Sequence, residues 1–320
     1  MAEKRFGIIK MQIDLKAIPS FGVAGNFTGH LEQAGEARDF VNVKAREGAP
    51  KALFPTYIPL GQNKSSLSPD QPQLLDKSPN QPSLSDKSSV PSFLTVFPFD
   101  AGKIIYPDGE DKLQIEPECA LICNLEYKCD KVSALKPLYF TASNDCSIRK
   151  EGARKISLKK NWGPSSKGLS EKLLKIDSFS EQGNINNYRI ASFLVRKSGD
   201  SFVAYDYGED SAIRDYSYIY DTLLDWIIEK LNNQKDEGPA ENVASYLLEA
   251  GKPSQIIVSI GATRYTSFGE ANFLREGDYS LVILYPEGKY TKEEIKAIAL
   301  KEDCDYDDIS ILRQRIEKKL

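Results

Sequence analysis

Glu116 and Glu118 stand two apart in Leu113 to Leu125, a segment whose residues alternate in character. Leu113, Ile115, Pro117, Cys119, Leu121, Cys123 and Leu125 hold the odd positions; Gln114, Glu116, Glu118, Ala120, Ile122 and Asn124 hold the even ones. Side chains alternate across a strand, so the odd face is expected to meet the core and the even face to carry both carboxylates. Two carboxylates this close repel each other, and a divalent cation relieves the repulsion. An oxygen-only set favours a hard ion, Mg²⁺, Mn²⁺ or Ca²⁺, over Zn²⁺. Taken alone, the pair also reads as a solvated strand face, the commoner fate of exposed glutamates. Cys119 and Cys123 fall on the opposite face, cannot join the carboxylates, and read as buried free thiols. Pro117 lacks an N–H, so this strand is expected at a sheet edge, or Pro117 at a bulge.

The elements around this pair follow from periodicity. Extended runs are expected at Pro137 to Ser143, Tyr188 to Arg196, Ser201 to Tyr205, Gln255 to Ile260 and Tyr279 to Tyr285. Apolar residues recurring every three or four positions from Ile213 to Leu231 predict an amphipathic helix that ends at Asn232-Asn233. Thr291 with Glu294 predicts a capped helix start, and Ile309 to Leu320 reads as a second polar helix. Strands dominate and helices decorate them, an α+β pattern. The stretch 61–92 has nine Ser, five Pro and no aromatic residue, which cannot build a core and reads as a disordered insertion. It divides the chain into an N-terminal segment 1–60, a β-rich core 93–290 and a helical extension 291–320.

Three further segments share an order with the glutamate pair. Ile115 to Leu121 is followed by Phe140 to Arg149, containing Asn144-Asp145-Cys146-Ser147, and then by Trp162-Gly163-Pro164-Ser165-Ser166-Lys167-Gly168. Before the insertion lies Gly25-Asn26-Phe27-Thr28-Gly29-His30-Leu31-Glu32-Gln33, which holds the only histidine of the chain. Over 21–60 and 93–288 this order resembles the fumarylacetoacetate hydrolase family, with its Glu-x-Glu strand, Asn-Asp-x-Ser segment, Trp-to-Lys step and N-terminal Asn-aromatic-x-x-His-x-x-Glu stretch. Gln33 stands where that family carries Glu, and Ile260-Gly261-Ala262-Thr263-Arg264 resembles its Gly-Thr-Pro step only loosely.

The resemblance implies a mixed β-sandwich or β-roll core with added helices. It implies Glu116, Glu118 and Asp145 as ligands of Mg²⁺ or Mn²⁺, and Lys167 as a cation beside the substrate. It further implies His30, partnered by Glu32 or Glu36, as the water-activating group, and Arg149 and Thr263 as substrate contacts. The activity implied is metal-dependent hydrolysis of a C–C bond in an acylpyruvate-like or 2,4-dioxo acid through a metal-bound enolate. Isomerase or decarboxylase chemistry on a 2-oxo acid, and non-catalytic dicarboxylate binding, are the alternatives. A homodimer is the oligomer implied.

Composition narrows the classes. Subtracting 46 acids from 42 bases gives −4, and no stretch concentrates enough positive charge to neutralise a row of phosphates, so nucleic acid is not an expected partner. The densest basic cluster, Lys150, Arg154, Lys155, Lys159 and Lys160, reads as solvated loop charge, with steering of anions as the alternative. No apolar run is long enough to span a bilayer and the opening residues lack a signal-peptide pattern, so a cytoplasmic chain without a membrane partner is expected. Five irregularly spaced cysteines fit reduced thiols.

Overall fold

The computed structural model describes residues 13–41, 43, 45–60, 88–150, 152–302 and 305–318. The insertion expected at 61–92 lies outside them up to residue 87. At its far end Ser88 and Ser89 bond to the carboxylate of Glu249.

The strands are β1 (Ser20–Ala24), β2 (Ala52–Tyr57), β3 (Lys103–Tyr106), β4 (Leu113–Gln114), β5 (Pro117–Lys128), β6 (Lys131–Asn144) and β7 (Ser147–Ile148). They continue as β8 (Gly168–Leu169), β9 (Leu174–Lys175), β10 (Tyr188–Ser198), β11 (Ser201–Ala212), β12 (Gln255–Ser259), β13 (Tyr279–Pro286) and β14 (Ser310–Lys318). One sheet runs β2-β1-β12-β5-β6-β8, with β9 also on β6; a second runs β11-β10-β13-β14-β3; β4 and β7 form a short pair. Only β1 with β12 and β14 with β3 are parallel; the other pairings are antiparallel. The main hydrophobic core collects Leu121, Cys123 and Phe140 of the first sheet with Val282, Leu284 and Leu312 of the second. The molecule is strand-dominated α+β, as the sequence pattern predicts.

Helix α1 (His30–Gln33) is a single turn, and α2 (Tyr220–Asn233) buries Leu223, Ile227 and Leu231, four apart, against the core. The helical pattern begins later than predicted, because Ile213–Asp215 is a separate 3-10 turn, and it ends at the predicted asparagines. After α3 (Val243–Glu249) and α4 (Ser267–Ala271) comes α5 (Lys292–Ala299), where Thr291 and Glu294 form the expected capping box. Helix α5 covers the outer face of the second sheet, packing Ile295 and Ile298 on Phe193 and Ile283.

Two expectations are corrected. The segment read as a polar helix at 309–320 is β14, an interior strand between β13 and β3. Its burial alternates, with Ser310, Leu312, Gln314 and Ile316 inward, because both neighbours require extended backbone for pairing. Pro117 is not on an edge strand: β5 lies between β12 and β6, and Pro117 opens it, where a missing N–H is tolerated. Leu113 to Leu125 is also interrupted, since β4 ends at Gln114 and Ile115 and Glu116 lie between strands. The even face is buried too, Ala120 and Ile122 packing with Ile18 of the N-terminal segment and with Leu169. Cys119, Cys123 and Cys146 are buried free thiols, as predicted for the first two. Among the described residues no helix is long and apolar enough to cross a membrane.

Candidate metal centre

The acidic groups meet where β5 begins and β6 ends. Pro117 pairs with Asn144 and Glu118 with Ser143, so Glu116 and Asp145 flank the same rung of the ladder. The Asp145 N–H donates to the Glu116 carbonyl at 3.0 Å, and the Glu116 N–H donates to Asn144 Oδ1 at 3.1 Å. Asn144 is fixed in turn by donating to Ser280 and to Gln314 of β14. This corner brings one oxygen each of Glu116, Glu118 and Asp145 within 4.8 Å of one another, all three residues being buried.

Gly261 supplies the only amide that reaches Glu118 among the described residues, donating to Oε2 at 2.9 Å. Its φ of +113° is open to glycine, and a Cβ there would lie 3.1 Å from the Asn26 Cβ and 3.2 Å from the Val23 carbonyl.

Three buried lysines and the partly buried Arg149 surround the acids. Lys160 Nζ bridges two of them, 2.5 Å from Glu116 Oε2 and 2.7 Å from Asp145 Oδ2. Lys167 Nζ lies 2.6 Å from Asp145 Oδ1 and donates to the Cys146 carbonyl at 2.7 Å. Arg149 reaches Glu116 and Glu36, each at 2.8 Å, and also donates to Gln114 and to the Tyr265 hydroxyl. Lys159 joins Glu36 to Asp39, both at 2.9 Å. No Lys or Arg among the described residues stands at ion-pair distance from Glu118.

The electrostatics follow that distribution. Burial pushes Glu116 toward the neutral form, but Lys160 and Arg149 outweigh it and hold the carboxyl well below the usual range. Glu36 is likewise lowered, with Arg149 and Lys160 overcoming burial. Burial raises Glu118 well above the usual range, and the charges of Asp145 and Glu116 add to the rise. Lys167 is lowered by burial, with Asp145 opposing.

His30 is buried on α1 behind Gly29, and its Nδ1 has no hydrogen-bond partner. Burial lowers its pKa, so the imidazole is neutral at physiological pH. Together with Glu36, Glu116, Glu118, Lys160 and Phe54 it lines a cavity of about 20 Å³, room for roughly one water molecule. A wider groove of about 540 Å³, bordered by Tyr106, Phe273 and Lys318, shares no residue with this cluster.

Of the residues singled out in the sequence, the corner gathers Glu116, Glu118, Asp145, Lys167, Arg149, His30 and Glu36. Glu32 is exposed, whereas Glu36 is buried and lines the same cavity as His30. Thr263 is buried with its hydroxyl unpartnered, but it faces Gly208 of β11 and does not line the cavity. Lys167 is also absent from the cavity wall. Gln33, in place of the family's Glu, clamps the backbone of Tyr265 through both ends of its amide. Lys160, expected as solvated loop charge, is instead buried at the centre. Its signal was indirect: acids expected to be buried need as many cations, and the Lys159-Lys160 step lies between Asp145 and Lys167.

The residues fit a divalent ion. Their donor set is oxygen only, Glu118 lacks a counter-cation, and Glu116 Oε1 and Asp145 Oδ2 receive no aligned hydrogen bond although cations stand nearby.

The chain belongs to the Family of unknown function (DUF5718), whose model matches residues 36–316. No curated protein matches it as a relative. Among solved structures it is similar to 2-keto-3-deoxy-D-arabinonate dehydratase complexed with magnesium and 2,5-dioxopentanoate, at 11% identity and a TM-score of 0.46, covering 97% of this chain and 79% of that one. It is also similar to fumarylpyruvate hydrolase from Pseudomonas aeruginosa in complex with Mn²⁺ and pyruvate, at 11% identity and a TM-score of 0.46, covering 94% and 90%.

Proposed function

We propose that this chain is a divalent-metal-dependent enzyme acting on a small anionic 2-oxo acid, and that it hydrolyses a C–C bond in an acylpyruvate-like or related 2,4-dioxo acid. The observation that carries this reading is the placement of His30. His30, whose Nδ1 is buried without a partner, lines a water-sized cavity together with Glu36 and with Glu116 and Glu118 of the acidic triad. The motif order along the sequence supports the same reaction class.

In this proposal Glu116, Glu118 and Asp145 hold Mg²⁺ or Mn²⁺. A divalent ion there supplies Lewis acidity toward the oxygens of a 2-oxo acid. His30, neutral because it is buried, takes a proton from water, and the hydroxide adds to the carbonyl distal to the acid group. The C–C bond then breaks with its electron pair on the 2-oxo acid fragment, which takes up the proton from His30. Glu36 stabilises the imidazolium, while Arg149 fixes Glu36. Lys160 supplies positive charge at the cavity wall, and Lys167 acts through Asp145.

A second reading is non-catalytic binding of a dicarboxylate; a cavity of about 20 Å³ admits neither a dioxo acid nor a dicarboxylate without movement of its wall. One experiment separates the two. The full chain with Mg²⁺ or Mn²⁺ is offered a panel of acylpyruvates and other 2,4-dioxo acids while product formation is followed. Turnover lost in Glu116→Ala supports the enzyme; equal inactivity of both proteins on every compound, with ligands still binding, leaves the binding protein.

A further inference from the structure

We infer that Lys160 is a built-in competitor for the divalent-ion position: its ammonium neutralises the triad in the metal-free protein, and an ion enters only as that ammonium leaves. The inference rests on the metal-centre reading above. It goes beyond that reading by naming the group that sets the affinity.

The geometry is specific to this lysine. An ion held by all three acids needs an oxygen from each. Both oxygens of Glu116 and both of Asp145 already face cations. Arg149 and Lys167 each touch one triad member, Glu116 and Asp145 respectively, through the oxygen that Lys160 does not meet. Lys160 alone spans two, standing 2.5 Å from one carboxylate and 2.7 Å from the other, which places its Nζ between the ligands. It is also the one of these cations that lines the cavity. A monovalent and a divalent cation cannot share that position, because their repulsion at contact distance in a buried site far exceeds what it is in water.

Charge balance explains why the ammonium is stable there. Lys159, Lys160 and Lys167 are buried beside Glu36, Glu116, Glu118 and Asp145, and each pairs with a carboxylate with no metal present, Lys159 also with Asp39. Adding a divalent ion beside the Lys160 ammonium is opposed by their repulsion; adding it as Lys160 withdraws along the cavity leaves an attractive set of carboxylates. The displaced ammonium moves to a new position along the cavity, where an anionic ligand would meet it. The lysine thus weakens metal occupancy of the triad.

The test is Mn²⁺ binding to the full chain, followed by titration calorimetry and by the paramagnetic resonance signal of free Mn²⁺, in wild type, Lys160→Met, Lys160→Gln and Lys159→Met. Both Lys160 variants are expected to bind Mn²⁺ about tenfold or more tightly than wild type, or to bind where wild type does not. The glutamine variant retains a polar group and reports the same effect should the methionine variant fail to fold. Lys159→Met removes an equal charge from Glu36 and Asp39 without touching the triad, and its affinity should change less than about threefold. Lys160 variants that bind no tighter than wild type, or a Lys159 variant that gains as much, would overturn the competition while leaving the metal centre standing. Absence of Mn²⁺ binding in all four proteins would instead remove the metal-centre reading itself, and the competition with it.

Discussion

Arg149 Nη1 lies 2.8 Å from Glu36 Oε1, a buried ion pair between residues 113 apart in sequence. Through Nη2 the same guanidinium stands 2.8 Å from Glu116, so the segment that carries His30 is tied to the acidic corner by one side chain. Replacing it with Met would leave Glu36 and Glu116 short of a counter-charge in a buried site, at a cost of about 3–5 kcal/mol. Arg149→Lys keeps the charge but not the fork that serves Glu36, Glu116, Gln114 and Tyr265 together. Denaturant melts of the three proteins should rank wild type above Lys above Met; equal stabilities would remove Arg149 as the joint.

Glu116 and Glu118 leave the same strand start, yet their replacement should shift stability in opposite directions. The folded pKa of Glu116 is depressed, so its stabilising contribution is present above its ordinary value of 4.5 and is lost as pH falls through the folded value. Glu118 is raised, so its contribution is present below 4.5 and is lost as pH rises through its folded value. Without metal at pH 8, Glu116→Gln should lose about 3–5 kcal/mol by stranding Lys160 and Arg149. Glu118→Gln, whose amide oxygen can still accept from Gly261, should melt at or above the wild-type temperature. A loss of similar size in both variants would contradict the charge distribution described.

The turn that carries Lys159 and Lys160 is anchored by Ser157 donating to Glu241, whose other oxygen is buried without a partner. Burial pushes Glu241 up to about 7 from an ordinary 4.5. Its proton is therefore held more tightly in the folded protein, and the associated stability, complete below pH 4.5, is lost as pH rises toward and past 7. Glu241→Gln should match wild type near pH 4.5 and exceed it by up to about 3 kcal/mol at pH 8. A difference that does not vary with pH in paired thermal melts would contradict this.

His30→Gln should lower turnover of whichever dioxo acid is a substrate by roughly 10²–10⁴-fold, the usual range for a lost general base, with Mn²⁺ affinity unchanged. Initial rates and Mn²⁺ titration on the same preparation check it; retained turnover would move the proton-transfer role elsewhere.

The acidic corner was legible because Glu116 and Glu118 stand two apart around the start of β5, although Glu116 itself lies outside the strand, and the motif order supplied Asp145. The start of α5 was legible because Thr291 and Glu294 close a local capping box. Strand β14 was not. Ile309, Leu312 and Ile316 fit a helical stripe, while its inward alternation runs through Ser310 and Gln314, whose polarity hides a buried face until their partners are seen. Gln314 earns its position by accepting from Asn144 and donating to the carbonyls of Asp100 and Lys167. Lys160 was illegible for a related reason: a run of lysines reads as solvated charge unless the carboxylates it neutralises are known to be buried. The edge placement of Pro117 failed because the first residue of an interior strand tolerates proline as readily as an edge does.

The central claim is that Glu116, Glu118 and Asp145 form one site for a divalent ion. Equilibrium Mn²⁺ binding to the full chain, with Asp145→Asn as the comparison, tests it most directly. The account predicts one ion per chain in the wild type and loss of that ion in the variant. Binding that is unchanged by Asp145→Asn, or no binding at millimolar Mn²⁺ in any version of the site, Lys160 variants included, would contradict it.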